Sequence, residues 1–382
     1  MALASVSSRL PLSADLRLRS KINNSSFPMN QLLLSLSLFL SSLLLGIYAV
    51  ILRFLRAIGF IQIIPSSALI LPPAAPGSLG DEAMVVASTN YLNQQGITQV
   101  SLVAFNSRHQ YPVAVLEAIE MRDYFLYKSW YKFIFKVIFF GYKMSRYERF
   151  YCLGADLMDG HYSDYATFKR VKLVEFAEKI GIESTILGFS FNATPTVLAQ
   201  QVFQKLSSRV RLCTRDPISL ERLKNVLDRP IQLVADAAFL LSSDDDSEKV
   251  LQVSHWIKEQ RENSRIVVGI NLNSLLLDRI ENKNSELLIQ AYVRNFVKLF
   301  SRCDNLSYLI IPHDLRRIKG KLNDKALATK MLQGFPAEIQ PYCLKIPFPC
   351  RAAEIKAMVG QLDLVLSSRM HLAIACLGKA VP

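Results

Sequence analysis

From Ser67 onward, apolar runs of strand length alternate with segments of helical period. "SALIL" (67–71) leads through a Gly- and Pro-containing turn to a helix ending near Gly96, then to "QVSLVAF" (99–105). "RFYCLGA" (149–155), a helix over 165–181, "STILGF" (184–189), a helix near 195–206, "RVRLCT" (209–214), a helix from Ser219 and "IQLVADAAFLL" (231–241) complete a first series. The polar run "SSDDDSE" (242–248) interrupts the pattern. Beyond it come a helix over 249–262, "RIVVGIN" (265–271), a helix over 285–302, "LSYLIIPHD" (306–314), helices near 323–333 and 352–359 around "CLKIPF" (343–348), then "LDLVL" (362–366) and a final helix. Strands alternating with helices predict parallel sheets covered on both faces. The fold class expected is therefore α/β, with two Rossmann-like domains, 65–241 and 249–382, joined by a linker at 242–248 and facing each other across a cleft.

The first 65 residues follow a different pattern. Residues 1–30 are polar, Ser-rich and acid-poor, and Leu32 to Leu52 is an uncharged stretch, "LLLSLSLFLSSLLLGIYAVIL". As a helix it would span about 30 Å, enough for a bilayer core, so a transmembrane helix is predicted over 31–52. An organelle transit segment, or a start at Met29, is compatible with the same residues. A second basic segment, "YFLYKSWYKFIFKVIFFGYK" (124–143), puts Lys128, Lys132 and Lys136 on one helical face with aromatics mostly elsewhere. That pattern suits a membrane interface or an acidic lipid-linked ligand, and equally an amphipathic helix with a solvated Lys face.

Charge sharpens this picture. The formal net charge is +13; residues 1–60 hold six Lys/Arg against one acid and residues 121–150 hold seven against two. Because the basic stretches are also the apolar and aromatic ones, a membrane is expected as partner and nucleic acid is not. The six cysteines (152, 213, 303, 343, 350, 376) contain no C-x-x-C pair, so no zinc site or redox dithiol is expected.

In open parallel sheets, ligands bind outside the carboxyl ends of strands, which singles out the residues just past each run. "PGSLGDEA" offers Gly77 and Gly80 for a tight turn and Asp81 as helix N-cap, and reads either as a phosphate cradle or as a plain strand-to-helix turn. "GADLMDGHYSD" carries Asp156, Asp159 and His161, in a turn better read as capped than as metal-binding. "LCTRDPIS" sets Arg215 either against an anion in the cleft or in a local pair with an acid such as Asp216. Asp236, His313 and Asp314, and finally Ser367, Arg369 and His371, each follow a strand. Two His and two Arg at equivalent strand ends of two domains converge most simply on one cleft.

"GSLGDEA", "TRDPISLERL", "ADAAFLL", "IPHD" and "DLVLSSRMHLAIACLGKAVP", in this order, resemble the polysaccharide pyruvyl transferase family over about residues 65–382. The resemblance implies a glycosyltransferase-B-like fold and transfer of the pyruvyl group of phosphoenolpyruvate to hydroxyls of a sugar in a polysaccharide or lipid-linked glycan. Phosphoenolpyruvate is then a donor substrate, and no cofactor or metal is implied. On that reading His371 is the general acid, Arg369 and Arg215 clamp the donor, Asp81 and Asp236 orient or deprotonate the acceptor, and His313, Gly80 and Ser367 line the substrate site. Ser78 stands where the family commonly has Asn, and the family pattern continues beyond Gly-x-x-Val-Pro whereas the sequence stops at Pro382, so the second domain is expected to be incomplete and an inactive fragment is compatible with the same residues. Two other functions fit the same outline: a nucleotide-sugar glycosyltransferase, or a non-catalytic membrane-tethered module. The expected location is a single-pass membrane protein, its catalytic part either on the cytoplasmic face or in a Golgi-type lumen.

Overall fold

The computed structural model describes residues 28–104, 111–120, 130–274, 285–316 and 322–382, with the side chains of 28–42, 120, 130–136 and 285 outside the description. Strands β1 (Ser67–Leu71), β2 (Gln99–Ala104), β3 (Ala118–Glu120), β4 (Arg149–Ala155), β5 (Glu183–Phe189), β6 (Arg211–Thr214) and β7 (Gln232–Leu233) form one sheet in the order β3-β2-β1-β4-β5-β6-β7. A second sheet runs β10-β9-β8-β11, from β8 (Ile266–Ile270), β9 (Leu306–Ile310), β10 (Cys343–Lys345) and β11 (Leu364–Leu366). Every pairing described in both sheets is parallel. The α/β, parallel-sheet expectation is met.

The helices, in chain order, are α1 (Pro28–Ala57), α2 (Leu79–Gln94), α3 (Trp130–Met144), α4 (Asp164–Ile180), α5 (Val197–Gln204), α6 (Pro217–Lys224), α7 (Glu248–Glu262), α8 (Ser285–Arg302), α9 (Asp324–Gly334), α10 (Ala352–Val359) and α11 (Met370–Leu377). Two expectations need correction. "IQLVADAAFLL" is not one strand: after the two residues of β7, Asp236 caps a 3₁₀ turn over Ala237–Leu240, because its carboxylate accepts from the Ala238 amide at 2.9 Å. The short edge strand β3 follows no strong alternation and was not expected.

A helix does run through the 31–52 stretch. Among the described residues, however, no helix is long and apolar enough to cross a membrane, and the side chains of residues 28–42 lie outside that description. The predicted span is therefore not established.

Residues Ala49–Pro382 form one compact unit. Helix α2 explains how its two sheets adhere. "LGDEAMVVAST" is small or apolar nearly all round, and Leu79, Ala83, Met84, Val85, Ala87 and Thr89 are all buried. Such a helix can be covered on several sides. One apolar cluster accordingly joins Ala68 and Ile70 of β1 and Met84 of α2 to Ile355 and Met358 of α10 and Leu372 of α11. A second cluster, with Tyr308, Phe296 and Met331, fills the space beneath α8 and α9. Polar groups stitch the same seam: Glu82 of α2 accepts from the Ala352 amide at the start of α10 (2.7 Å), and buried Lys356 donates to the carbonyls of Phe239 and Leu241.

The turn after β1 is held from beneath by Arg170 of α4. This buried guanidinium donates to the carbonyls of Pro72 (3.0 Å) and Pro73. Arg170→Met keeps most of the volume but leaves two carbonyls without donors, at about 1–3 kcal/mol each. The urea midpoint is expected to fall by the equivalent of about 2–4 kcal/mol with an unchanged m value; an unchanged midpoint would show that water replaces the guanidinium.

Candidate active site

In each sheet the strand order reverses once, between β1 and β4 and between β8 and β11. Such switch points open crevices at the carboxyl ends of strands, and here the loops that follow β1, β9 and β11 meet. Ser78 and Asp314 form an isolated antiparallel bridge; the Leu79 amide donates to His313 O (3.1 Å) and the Leu315 amide to Gly77 O (2.7 Å). Gly77 takes φ +124°, available to glycine without strain.

Ser78, not Asp81, caps α2: its hydroxyl accepts from the Asp81 amide at 3.4 Å. Asp81 lies one turn in, 8 % exposed, 3.6 Å from Arg316 Nη1. At Gly80 the first turn of α2 comes close against His371. A Cβ added there would lie 2.5 Å from His371 Nδ1 and 2.7 Å from its Cβ, so only glycine lets the imidazole rest on the first turn of α2.

Arg369 and His371 arrive from β11 at the start of α11, as their spacing requires. Arg369 is held by a residue absent from the expected set. Asp324, the first residue of α9 and fully buried, receives its guanidinium as a fork, Nη2 to Oδ1 at 2.7 Å and Nε to Oδ2 at 3.0 Å. The same carboxylate accepts the amides of Ser274 (2.9 Å), Asp314 (3.0 Å) and His313 (3.3 Å). Arg369 also donates to Ser274 Oγ (3.1 Å), and its Nη1 lies 3.6 Å from Asp314 Oδ2. Ser367 is occupied locally: its hydroxyl accepts from the Arg369 amide and donates to the Arg369 carbonyl.

Arg215 does not reach the cleft as a free cation. With a side chain 4 % exposed, it pairs with Asp236 (2.8 Å) and donates to Ser190 Oγ (2.8 Å). Asp216, the partner anticipated in the alternative reading, instead caps α6 through the Ser219 amide (2.7 Å). The same oxygen, Asp236 Oδ2, also faces His371 Nε2 at 3.6 Å. That is too long for a hydrogen bond, and the buried Nε2 has no hydrogen-bond partner. Burial works against the Asp236 carboxylate, yet His371 and Arg215 together hold it below the ordinary carboxylate range.

Among the described residues Arg316, also missing from the expected set, is a partly accessible cation beside these groups. It forks onto Asp314 (Nη2–Oδ2 2.6 Å, Nε–Oδ1 3.0 Å) and stays partly exposed. Burial pushes the Asp81 carboxyl above the ordinary carboxylate range despite Arg316 and His371. His313 cannot serve as a charged phosphate ligand: burial first, then the neighbouring His371, lowers its pKa to about 3. The "GADLMDGHYSD" turn is a capped one, with Asp159 accepting from the amides of His161 (2.9 Å) and Asn192 (3.2 Å). A hollow of about 390 Å³ lined by Pro76, Leu102, Tyr111, Val113 and Glu117 opens beside the β1 loop, with no cation among the described residues of its lining. Asp324 could have been flagged from the "NDKA" helix start, where an acid in the first turn is favoured; nothing in the sequence assigns it to Arg369.

The neutral, buried His313 makes stability depend on pH. Its folded pKa lies below the unfolded value near 6.5, so between about pH 3 and 6.5 the unfolded chain binds more protons. Stability from this group is complete above pH 6.5 and is lost on acidification, by up to about 1.4 kcal/mol per pH unit. Urea titrations between pH 7 and 5 should show that slope, and His313→Asn should flatten it. An equal slope in both proteins would mean that His313 is not the group responsible.

Comparison with known proteins adds the family. No curated protein sequence matches the chain. Among solved structures, a Listeria monocytogenes protein assigned as a UDP-N-acetylglucosamine 2-epimerase aligns with a TM-score of 0.51 at 10% identity, covering 84% of this chain and 78% of that one; this shows likeness of fold alone. E. coli ADP-heptose LPS heptosyltransferase II (TM-score 0.41, 15% identity, 83% of each chain) and a family 9 glycosyl transferase of Veillonella parvula (TM-score 0.39, 13% identity, 83% and 79%) are also similar, too weakly to support an argument. The family model described as polysaccharide pyruvyl transferase matches residues 79–382, from the first residue of α2 to Pro382. The match takes in Gly80, Asp324, Arg369 and His371 alike, and the chain belongs to the polysaccharide pyruvyl transferase family.

Proposed function

We propose that this transferase moves the pyruvyl group of phosphoenolpyruvate onto hydroxyls of a sugar in a polysaccharide or lipid-linked glycan, releasing phosphate. The observation that carries the reading is the Arg369-x-His371 pair, delivered from β11 onto the first turn of α2 with the guanidinium already fixed by Asp324. Phosphoenolpyruvate carries roughly three negative charges, which call for fixed guanidinium forks and unpaired helix N-terminal amides. Arg369, its Nε and Nη2 spent on Asp324 and Ser274, offers Nη1 as a fixed cationic donor. The first-turn amide of Gly80, which has no intrahelical acceptor, adds a neutral donor. Arg316 is a cation that an incoming phosphate or carboxylate can draw from Asp314.

His371 protonates the donor methylene, generating an oxocarbenium-like carbon. A sugar hydroxyl attacks that carbon and returns its proton to the imidazole; the bond to the phosphate oxygen then breaks, and as a second hydroxyl closes the ketal its proton leaves with the phosphate. The products are the ketal and inorganic phosphate. Asp236 is assigned here to orienting the imidazole rather than deprotonating the acceptor, with Arg215 holding Asp236 in turn. His313 and Ser367 shape the two loops. On this reading residues 31–52 hold the chain at a membrane, near a lipid-linked acceptor.

The test is acceptor-dependent phosphate release from phosphoenolpyruvate, with a glycan panel. His371→Ala should lower turnover by at least about a hundredfold, and near-normal release by that variant would remove the assignment. Binding of a nucleoside diphosphate but not phosphoenolpyruvate would favour a nucleotide-sugar glycosyltransferase instead.

Asp324→Asn should act differently, since it loosens Arg369 without removing it. The donor KM is expected to rise roughly ten- to hundredfold, from the loss of a charge-assisted fork, with a smaller change in kcat. A pure loss of kcat at unchanged KM would assign Asp324 to fold integrity rather than donor binding.

A further inference from the structure

Helix α1 ends with apolar side chains on two opposite sides. Ala49 and Leu52 are buried in the compact unit, as is Ile61 of the connector that follows; Val50, Ile51, Phe54, Ile58 and Phe60 point outward, Phe54 at 61 % exposure and Phe60 at 73 %. A helix on a water-facing surface turns polar residues outward, and apolar residues all round indicate an apolar surrounding. Helix α3 repeats the pattern: Val137, Phe140 and Met144 are buried while Phe139 (61 %) and Tyr142 (47 %) are exposed.

The two features share one corner. Arg56 of α1 donates to the carbonyls of Ser145 and Tyr147 just past α3, and the Ile64 amide donates to Arg146 O (2.8 Å). Cations rim the apolar ledge. Arg53 is exposed, and neither Arg53 nor Arg146 forms an ion pair among the described residues; Lys143 lies 5.4 Å from the centre of the Phe139 ring but its charge is paired with Glu117 at 2.5 Å, which leaves Arg53 and Arg146 as the uncommitted cations. Exposed Phe and Tyr between Arg and Lys match the chemistry of a headgroup layer, where aromatic bodies are buried and cations meet anionic lipid. The corner lies at the amino ends of β1 and β4, the edge of the sheet opposite the cleft.

We propose that this corner of the catalytic unit, formed by α1 after residue 49, the connector 58–63 and the end of α3, is a docking surface for an anionic lipid bilayer. The proposal rests on the membrane reading above, which concerns residues 31–52, and extends it to the catalytic unit itself.

The test uses the full chain reconstituted with vesicles of phosphatidylcholine and a minority of phosphatidylserine, some lipids carrying brominated acyl chains. Cys303 and Cys343 are replaced by Ser, leaving buried native thiols, and a fluorophore is attached at Phe60→Cys, Phe139→Cys, Leu44→Cys or, as a control elsewhere on the surface, Leu251→Cys. Labels at 60 and 139 should be quenched several-fold more than the label at 251, and Arg53→Glu should weaken that quenching on anionic vesicles more than on pure phosphatidylcholine. Quenching at 44 alone would overturn the docking surface while keeping the span. Quenching at 60 and 139 without 44 would keep the docking surface and remove the span. Labels at 60 and 139 no more quenched than the one at 251, or insensitive to Arg53→Glu, would overturn the proposal.

Discussion

Everything at the cleft depends on one buried carboxylate. Asp324 is fully enclosed, and an enclosed charge persists only when its partners make up for the water it has lost. Five donors do so: two nitrogens of Arg369 and the amides of Ser274, His313 and Asp314. These come from the loops after β8, β9 and β11, so a single side chain at the head of α9 fixes the strand ends of the second sheet relative to one another. Arg369 is thereby rigid before any ligand arrives. A guanidinium on a free side chain would have to give up rotamer freedom on binding.

The first sheet reaches the same point by a different device. Its β1 loop is locked by backbone pairing to the β9 loop, and Gly80 removes the one Cβ that would keep His371 away. Asp236 and Arg215 come from strand ends on the far side of that sheet and meet the imidazole from behind. The acid and the guanidinium assigned to the donor are therefore neighbours on α11, but they are held by opposite halves of the protein: Arg369 by Asp324, His371 by Gly80 and Asp236.

Much of this was legible in the order of residues. The alternation of strands and helices gave the parallel sheets, and the rule that sites lie beyond strand carboxyl ends led to Gly80, Asp236, Arg369 and His371 without coordinates. Pairwise partnerships were not legible. Arg215 looks like an anion clamp until Asp236, twenty-one residues on, closes over it; His313 looks like a cationic ligand until burial strips its charge. Asp324 and Arg316 escaped notice because nothing local distinguishes them: one opens an ordinary helix, the other follows a motif by two residues. Asp81 was taken for the cap that Ser78 provides, since both residue types favour that position.

The pairing of Gly77–Leu79 with His313–Leu315 also bears on how the cleft is filled. Two-domain transferases that open by a hinge admit substrates by swinging their halves apart, and here such a swing would have to break main-chain hydrogen bonds at the mouth itself. With the rim sewn shut, ligand exchange under the proposed function would rely on side-chain movement such as Arg316 leaving Asp314. A small donor would then enter a nearly finished mould, and a long sugar chain would meet a standing edge rather than be swallowed.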